Sequence, residues 1–400
     1  MDDRLIGRQR SAVSVAFLAF GIVGGSVVPR LPALRDHLHL TDAQVGYALV
    51  FFAVGAVAGA TAARFVLARG ARSFVRAGTP ALCVALVTPG LAGNLAELMG
   101  GFLLIGVCSG LLDVLENAQG AELERLAARP LINGFHAFWS LGAIIGSVVA
   151  GLAAYFGIAP LTQFAAAAVI VALATAWFLR ELPDTRSGAA GATPAGARRL
   201  WLGGAVVAVA AVAFSGFIVE GGSADWSTLY LRDLSHVNAG VAAAGYAAFS
   251  LAAMLTRFRA DLLTARTSPV VVARLGAVVA ACGLALAIAY PALAGAATGF
   301  ALVGVGTAVI LPLAFAAGAN LGASGTALAV VMTSGYAGSI VGPVLIGNAA
   351  DRFSLRVAML IPLAGAIGIA MLAGSLQPAP ALTGSEASPV NEDQARGRKG

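Results

Sequence analysis

The sequence predicts an all-α membrane protein with twelve transmembrane helices in two pseudo-symmetric six-helix bundles. Hydrophobic residues make up 59% of the 400 residues and charged residues only 11%, whereas soluble domains average about 45–50% and 25%. Most of the charge lies between apolar runs of about 20 residues, the length that crosses a bilayer core. Runs of this kind are typical of membrane helices and not of β-barrel strands, which alternate in short segments.

Twelve apolar segments are candidate spans, and one long polar stretch separates the sixth from the seventh. The spans lie at about 11–33, 44–66, 77–95, 98–121, 132–156, 160–180, 201–230, 240–263, 269–290, 292–318, 324–349 and 355–375. The predicted organisation is an N-terminal bundle (1–180), a cytoplasmic linker (181–200), a C-terminal bundle (201–376) and a disordered cytoplasmic tail (377–400). The tail is assigned from its polar, Pro/Ser/Gly-rich composition.

The arginine distribution predicts the orientation. With the N-terminus inside, 20 of the 25 Lys and Arg residues fall in inner segments and five in outer ones. Cytoplasmic loops carry such an excess, so both termini are expected to be cytoplasmic. The net charge of +6 forms no single patch, which argues against nucleic-acid binding.

The two halves resemble each other in sequence. The segment "GFLLIGV" at 101–107 matches "GFALVGV" at 299–305, an offset of 198 residues, and "GYA" at 46–48 returns at 245–247. A parallel repeat of six spans is the organisation of transporters that rock two bundles around a site at the membrane midplane.

The fourth span contains the most unusual polar residues, in the stretch "LLDVLENAQG". At about 100° per residue, Asp113, Glu116, Asn117 and Gly120 fall within one sector of the helix. Charges inside a membrane span are costly and usually functional. We therefore expect Asp113 and Glu116 to face the bundle interior and to take part in proton transfer.

The fifth span offers a facing partner. His136 is expected at a depth similar to that of Glu116, and Trp139 lies at the edge of the same stripe. A carboxylate beside a histidine in a dry site can carry a proton, so Asp113, Glu116 and His136 are the predicted proton-coupling residues. The alternatives are a structural Glu116–His136 ion pair, or a Glu116 that faces cytoplasmic water.

The seventh span and the end of the first contribute predicted solute contacts. Glu220 and Trp226, in "VEGGSADWSTLYLRD", suit a polar solute that contains a ring, and Asn117 and Trp139 complete the path. Arg30 could attract an anionic or hydroxyl-rich solute. The alternative for Trp226 is an interfacial anchor, and for Arg30 it is pairing with an outer acid or exposure to water. Asp225 is interpreted more readily as a helix cap or a surface charge.

These stretches resemble the major facilitator superfamily over all twelve spans, most closely the fucose-permease branch and its YbjJ-like group of bacterial inner-membrane proteins. The resemblance rests on "PRLPALRDHLHLTDAQVGYAL", "DVLENAQGAELE", "NGFHAFWSLGAIIGS", "EGGSADWSTLYLRD" and "GPVLIGNAADRFSLR". It implies that Asp113 and Asn117 correspond to an acid and amide that serve proton coupling and sugar recognition in the fucose permease. The acid of that permease's first helix has no counterpart in "FGIVGGSVVPR".

The resemblance also implies a gating loop after the second span. This chain has "GATAARFVLARGAR", in which Ala63 replaces the family's Asp while Arg64 and Arg69 remain. The equivalent place in the second half retains Asp261. The fifth span lacks the proline of the antiporter motif, which argues mildly against drug/proton exchange.

The expected function is secondary active transport of a small polar solute, a sugar or sugar-like compound, by alternating access and with proton coupling, as a monomer. No cofactor is expected. The first alternative is an efflux antiporter for lipophilic or drug-like compounds. The second is a membrane enzyme or a sensor that does not transport. His136 is the only histidine within a span, and one histidine with two acids is a poor metal site.

Overall fold

The fold is all-α over the part of the chain that the computed structural model describes. This part comprises residues 3–67, 69–127, 131–183, 203–321 and 325–377, with backbone alone at residues 3, 133 and 261–265. Within these ranges no strand occurs. The predicted helical class is confirmed.

Sixteen α-helices occur in the described ranges. They are α1 (Asp3–Val27), α2 (Leu31–His37), α3 (Asp42–Leu67), α4 (Ala71–Leu91), α5 (Leu95–Ala127), α6 (Ile132–Tyr155), α7 (Pro160–Ala176), α8 (Gly204–Leu234), α9 (Ala239–Ala242), α10 (Ala244–Arg266), α11 (Pro269–Ala289), α12 (Leu293–Thr307), α13 (Ile310–Asn320), α14 (Thr326–Arg352), α15 (Leu355–Ala358) and α16 (Leu360–Leu372).

These helices form eleven stretches that are long and apolar enough to cross a membrane, and α7 is a shorter apolar helix. Some predicted spans are interrupted. The tenth breaks between α12 and α13, where Pro312 follows the break by two residues. Proline has no N–H to donate and its ring clashes with the carbonyl four residues earlier, here that of Ala308. The first span breaks at Pro29 and Pro32 in the same way.

Close helix packing depends on small residues. A Cβ atom added at Gly25 of α1 would lie 2.0 Å from the carbonyl oxygen of Ala143 in α6, and one at Gly110 of α5 would lie 1.9 Å from that of Ala56 in α3. In lipid, where no hydrophobic force drives helices together, such backbone contact supplies the packing energy. The pairs α1–α6 and α3–α5 accordingly pack along much of their length within the first half.

The two halves meet through α3 with α14 and through α6 with α9 and α10. A cluster of charges at one end reinforces this contact: the Arg35 guanidinium donates two hydrogen bonds to Asp233, at 2.6 and 2.7 Å, and one to Asp42, at 2.9 Å. The backbone N–H of Asp42 donates to Asp351 across the same junction, at 2.8 Å. We call Arg35, Asp42, Asp233 and Asp351 the charged latch. It lies at the end predicted to face outward.

Candidate functional site

A cavity of about 440 Å³ lies between the two halves, beneath the charged latch. Its walls are parts of α3, α6, α8, α10, α13 and α14, so both halves contribute. The volume suits a small molecule. A site shared by both halves is the arrangement that alternating access requires.

Helix α8 supplies the charged wall of this cavity. Glu220, Gly221 and Asp225 all line it, and α8 continues as a helix past them to Leu234. The Arg257 guanidinium of α10 donates to Glu220 at 2.7 Å, and the two side chains are 39% and 22% exposed. The pair therefore holds one positive and one negative charge at the cavity surface.

A hydrogen-bonded chain of three side chains lies beside the cavity. The Asn117 amide nitrogen donates to the Asp113 carboxylate at 3.1 Å, and its oxygen lies 3.2 Å from Nε2 of His136. His136 and Asp113 also interact electrostatically with each other. Two electrostatic interactions connect this hydrogen-bonded group with the second half of the protein. Asp113 interacts with Tyr336, a cavity residue, and His136 interacts with Arg257. The structure thus brings together three of the residues predicted from sequence.

Glu116 does not join this chain, contrary to the expectation that it faces inward with Asp113. Its side chain is 1% exposed, and neither carboxylate oxygen has a hydrogen-bond partner among the described residues. No ion pair to His136 forms; Asn117 takes that place. Glu116 lies only about 60° around the helix from Asp113, but this rotation is enough to place it on the packed side of α5, where it is 1% exposed.

The five predicted solute contacts divide into three groups. Asn117 belongs to the hydrogen-bonded chain with Asp113 and His136 and does not line the cavity. Trp139 and Glu220 line the cavity. Trp226 and Arg30 do not, and the prediction for these two is wrong. Trp226 is fully buried on the opposite side of α8, and its Nε1 has no partner within the described ranges. Arg30 is 1% exposed and donates to the carbonyl oxygens of Ala150 and Ile158, which tie the end of the first span to α6 and the turn after it.

The predicted gating residues lie at the other end of the helices. The Arg64 guanidinium stacks over the ring of Phe65, 4.6 Å from its centroid, and Arg69 donates to the Phe65 carbonyl oxygen at 3.0 Å. Both contacts are local to the end of α3. The side chain of Asp261 lies outside the described residues, so its predicted role stays a prediction.

Sequence reasoning missed Asp225, Tyr246, Arg257 and Tyr336 as cavity residues. The interpretation of Asp225 as a cap or surface charge is wrong because α8 continues for nine residues beyond it. Arg257 falls within the predicted eighth span (240–263), and a charge inside a span is the signal that could have identified it.

The described part of the chain contains no group of three His, Cys, Asp or Glu side chains placed to hold a metal ion. The polar groups around the cavity are suited to binding a solute and holding a proton.

Comparison with known proteins agrees with this architecture. The profile of the Major Facilitator Superfamily matches residues 13–343. The uncharacterized transporter y4wD of Sinorhizobium fredii is 31% identical over 373 residues, covering 91% of this chain and 97% of the relative. The chain therefore belongs to the Major Facilitator Superfamily. The family and this relative are transporters and not enzymes, which excludes the enzyme alternative.

Two solved structures share the fold. A point mutant of the nucleoside transporter NupG superposes with a TM-score of 0.75 at 12% identity and covers 92% of this chain and 99% of its own. A point mutant of the E. coli fucose:proton symporter FucP superposes with a TM-score of 0.62 at 17% identity and covers 92% and 98%. At these identities the likeness establishes the fold alone.

Proposed function

We propose that this transporter moves a small polar, sugar-like solute together with protons, across a bacterial inner membrane in which both termini are cytoplasmic. The observation that carries the proposal is the cavity shared by both halves, with the Glu220–Arg257 pair in its wall and the Asp113–Asn117–His136 chain beside it. The fucose:proton symporter among the structural neighbours and the sequence resemblance to the fucose-permease branch and its YbjJ-like group support the same choice.

Asp113 is the proposed proton carrier. Its carboxylate is exposed, bonded to a neutral amide, and close enough to His136 for an electrostatic interaction. An acid of this kind can gain or lose a proton without breaking an ion pair, because among the described residues the side chain hydrogen-bonded to it is that of Asn117, which has no charge. His136 modulates the proton affinity through its own charge. Glu116, which is buried away from these three side chains, is proposed to have a secondary role in proton coupling.

The solute site is proposed around Trp139, Glu220 and Arg257. Paired charges can exchange their mutual hydrogen bonds for bonds to hydroxyl groups, and the indole ring offers an apolar face to a sugar ring. Asn117 joins Asp113 to His136, and His136 interacts electrostatically with Arg257 of this site. Solute binding and protonation are therefore proposed to affect each other through these side chains.

The charged latch is the proposed outer gate of an alternating-access cycle. The halves are joined at the predicted outer end, and the cavity is proposed to open toward the inner end in this state. Arg64, Arg69 and Asp261 are proposed to close the inner end when the latch opens. A monomer is sufficient for this cycle, because both halves belong to one chain.

The test begins with purified full-length protein. Sugars and other polar solutes are screened by thermal shift, and the transport of each stabilising solute is measured in proteoliposomes under an imposed proton gradient. Wild type is compared with Asp113→Asn and with Glu122→Gln, a control at an exposed helix position outside the cavity. Asp113→Asn is expected to bind the solute but to lose accumulation driven by protons, whereas Glu122→Gln retains it.

Two outcomes count against the proposal in different ways. Undiminished accumulation in Asp113→Asn would remove Asp113 as the proton carrier. Stabilisation by lipophilic cations but by no polar solute would favour the efflux alternative.

A further inference from the structure

Asp225 is a carboxylate in the cavity wall without a countercharge. It lines the cavity from α8, and it forms no salt bridge or hydrogen bond to another described residue. Its charge acts electrostatically on Tyr246 of α10. The cation that lines the cavity, Arg257, is paired with Glu220 at 2.7 Å. The cavity thus holds two carboxylates and one guanidinium.

An unpaired carboxylate in a partly dehydrated cavity is unfavourable unless a proton or a cationic group compensates it. An anionic solute would meet a net negative wall, and a neutral one would leave the Asp225 charge without a partner. A solute with a protonated amine supplies the missing charge and donates hydrogen bonds. We propose that the cavity selects hydroxylated ring compounds that carry a protonated amine, with Asp225 as the anchor for the ammonium group. This inference rests on the proposed transport of a polar solute.

The aromatic side chains of the cavity are consistent with an ammonium ligand. Trp139, Tyr246 and Tyr336 line the cavity from three different helices. The faces of aromatic rings attract ammonium groups electrostatically. Tyrosine hydroxyls also accept hydrogen bonds.

The serine side chains favour a hydroxylated body for the same solute. The Ser140 hydroxyl donates to the His136 carbonyl oxygen at 3.0 Å, and that of Ser339 donates to the Tyr336 carbonyl oxygen at 2.8 Å. Both serines line the cavity, and their hydroxyl oxygens, with their protons already committed, are left as acceptors. An amine with several hydroxyl groups can donate to Ser140, Ser339 and Asp225, whereas a lipophilic cation has no donors for the serines.

The experiment uses sugars that differ only in the amine. Purified full-length protein is titrated with D-glucosamine and D-glucose, and with D-galactosamine and D-galactose, near neutral pH. N-acetyl-D-glucosamine serves as an analogue without the charge. We expect at least one amino sugar to bind about tenfold more tightly than its neutral partner, the factor typical of one charge-assisted hydrogen bond. Acetylation is expected to remove this advantage.

Variants assign the effect to Asp225. Asp225→Asn and Asp225→Ser are expected to lose the amine preference while they retain the weaker binding of neutral sugars. Glu122→Gln changes the net charge equally at a partly exposed position outside the cavity, and this variant is expected to keep the amine preference. Two substitutions of different size guard against one that fails to fold.

The outcomes separate this inference from the proposed function. Binding of neutral sugars that equals or exceeds that of amino sugars, or an amine preference that survives in both Asp225 variants, would overturn the role of Asp225 and leave polar-solute transport intact. Binding of lipophilic cations without binding of any sugar would overturn both.

Discussion

The charged latch and the cavity wall are both built from acids and arginines, yet they differ in how completely those charges are paired. In the latch, Arg35 donates hydrogen bonds to both Asp42 and Asp233, and Asp351 accepts a backbone N–H. In the cavity, Arg257 pairs with Glu220, and Asp225 has no ion pair among the described residues. Paired charges hold two surfaces in place, whereas an unpaired one is available to a ligand or a proton. We propose from this difference that the latch keeps the conformational state and that the cavity receives the solute.

The largest effect is expected from breaking the latch. Arg35→Gln removes three charged hydrogen bonds to Asp233 and Asp42, and bonds of this kind contribute about 1.5–3 kcal/mol each at most. The outer end should open more often. A single cysteine at Ser339, in the cavity, should then react about tenfold faster with an impermeant maleimide applied from outside, in a background without native cysteines.

Arg356→Gln is the matched control for that prediction. Arg356 lies at the same end but donates to the carbonyls of Ile288 and Ala289 within its own half, so its loss should leave the labelling rate unchanged. Equal rates in the wild type and Arg35→Gln would show that the latch does not hold the outer end.

A steric version of the same comparison uses two glycines. A Cβ atom at Gly46 would lie 2.4 Å from the Pro343 carbonyl oxygen across the junction of the halves, whereas one at Gly221 meets nothing within 4 Å. Gly46→Ala should therefore separate the closed end, at a cost of about 1–3 kcal/mol. Gly46→Ala is expected to lower the melting temperature and to increase the labelling rate of a cysteine at position 339. Gly221→Ala should change neither, and an equal loss of stability in both variants would contradict the prediction.

The Glu220–Arg257 ion pair of the cavity should contribute less to the free energy of unfolding than the charged latch does. Glu220 and Arg257 are 22% and 39% exposed, and partly exposed pairs contribute about 1 kcal/mol or less. Glu220→Gln and Arg257→Gln are each expected to lower the melting temperature slightly, and the double variant to lower it less than the sum. Strict additivity of the two changes would indicate that the pair contributes nothing to stability.

The smallest effect concerns Glu116, which is buried outside the cavity and has no hydrogen-bond partner among the described residues. Replacing it with leucine exchanges an unsatisfied carboxyl group for an apolar side chain of similar size, and a gain of about 1 kcal/mol is expected. The melting temperature should rise by a few degrees. The partly exposed control Glu122→Leu should show no rise, and a clear fall in melting temperature for Glu116→Leu would contradict the prediction.

The sequence alone was sufficient for the membrane class and the helical fold. It also identified the three residues of the Asp113–Asn117–His136 chain. These follow from local rules: the length of an apolar run, the cost of a charge inside a span, and the spacing of side chains around one helix. Asp113 and Asn117 are four residues apart on α5, so their contact needs no other element.

Only the tertiary structure decided where the remaining charges point. Glu116 is turned into the packed side of α5, and Trp226 into the buried side of α8, because each helix faces several neighbours and sequence periodicity does not say which face meets which neighbour. Arg35 with Asp233 and Glu220 with Arg257 join residues that are 198 and 37 positions apart. The absence of a cation beside Asp225, among the residues that the structure describes, became visible only when the helices were assembled.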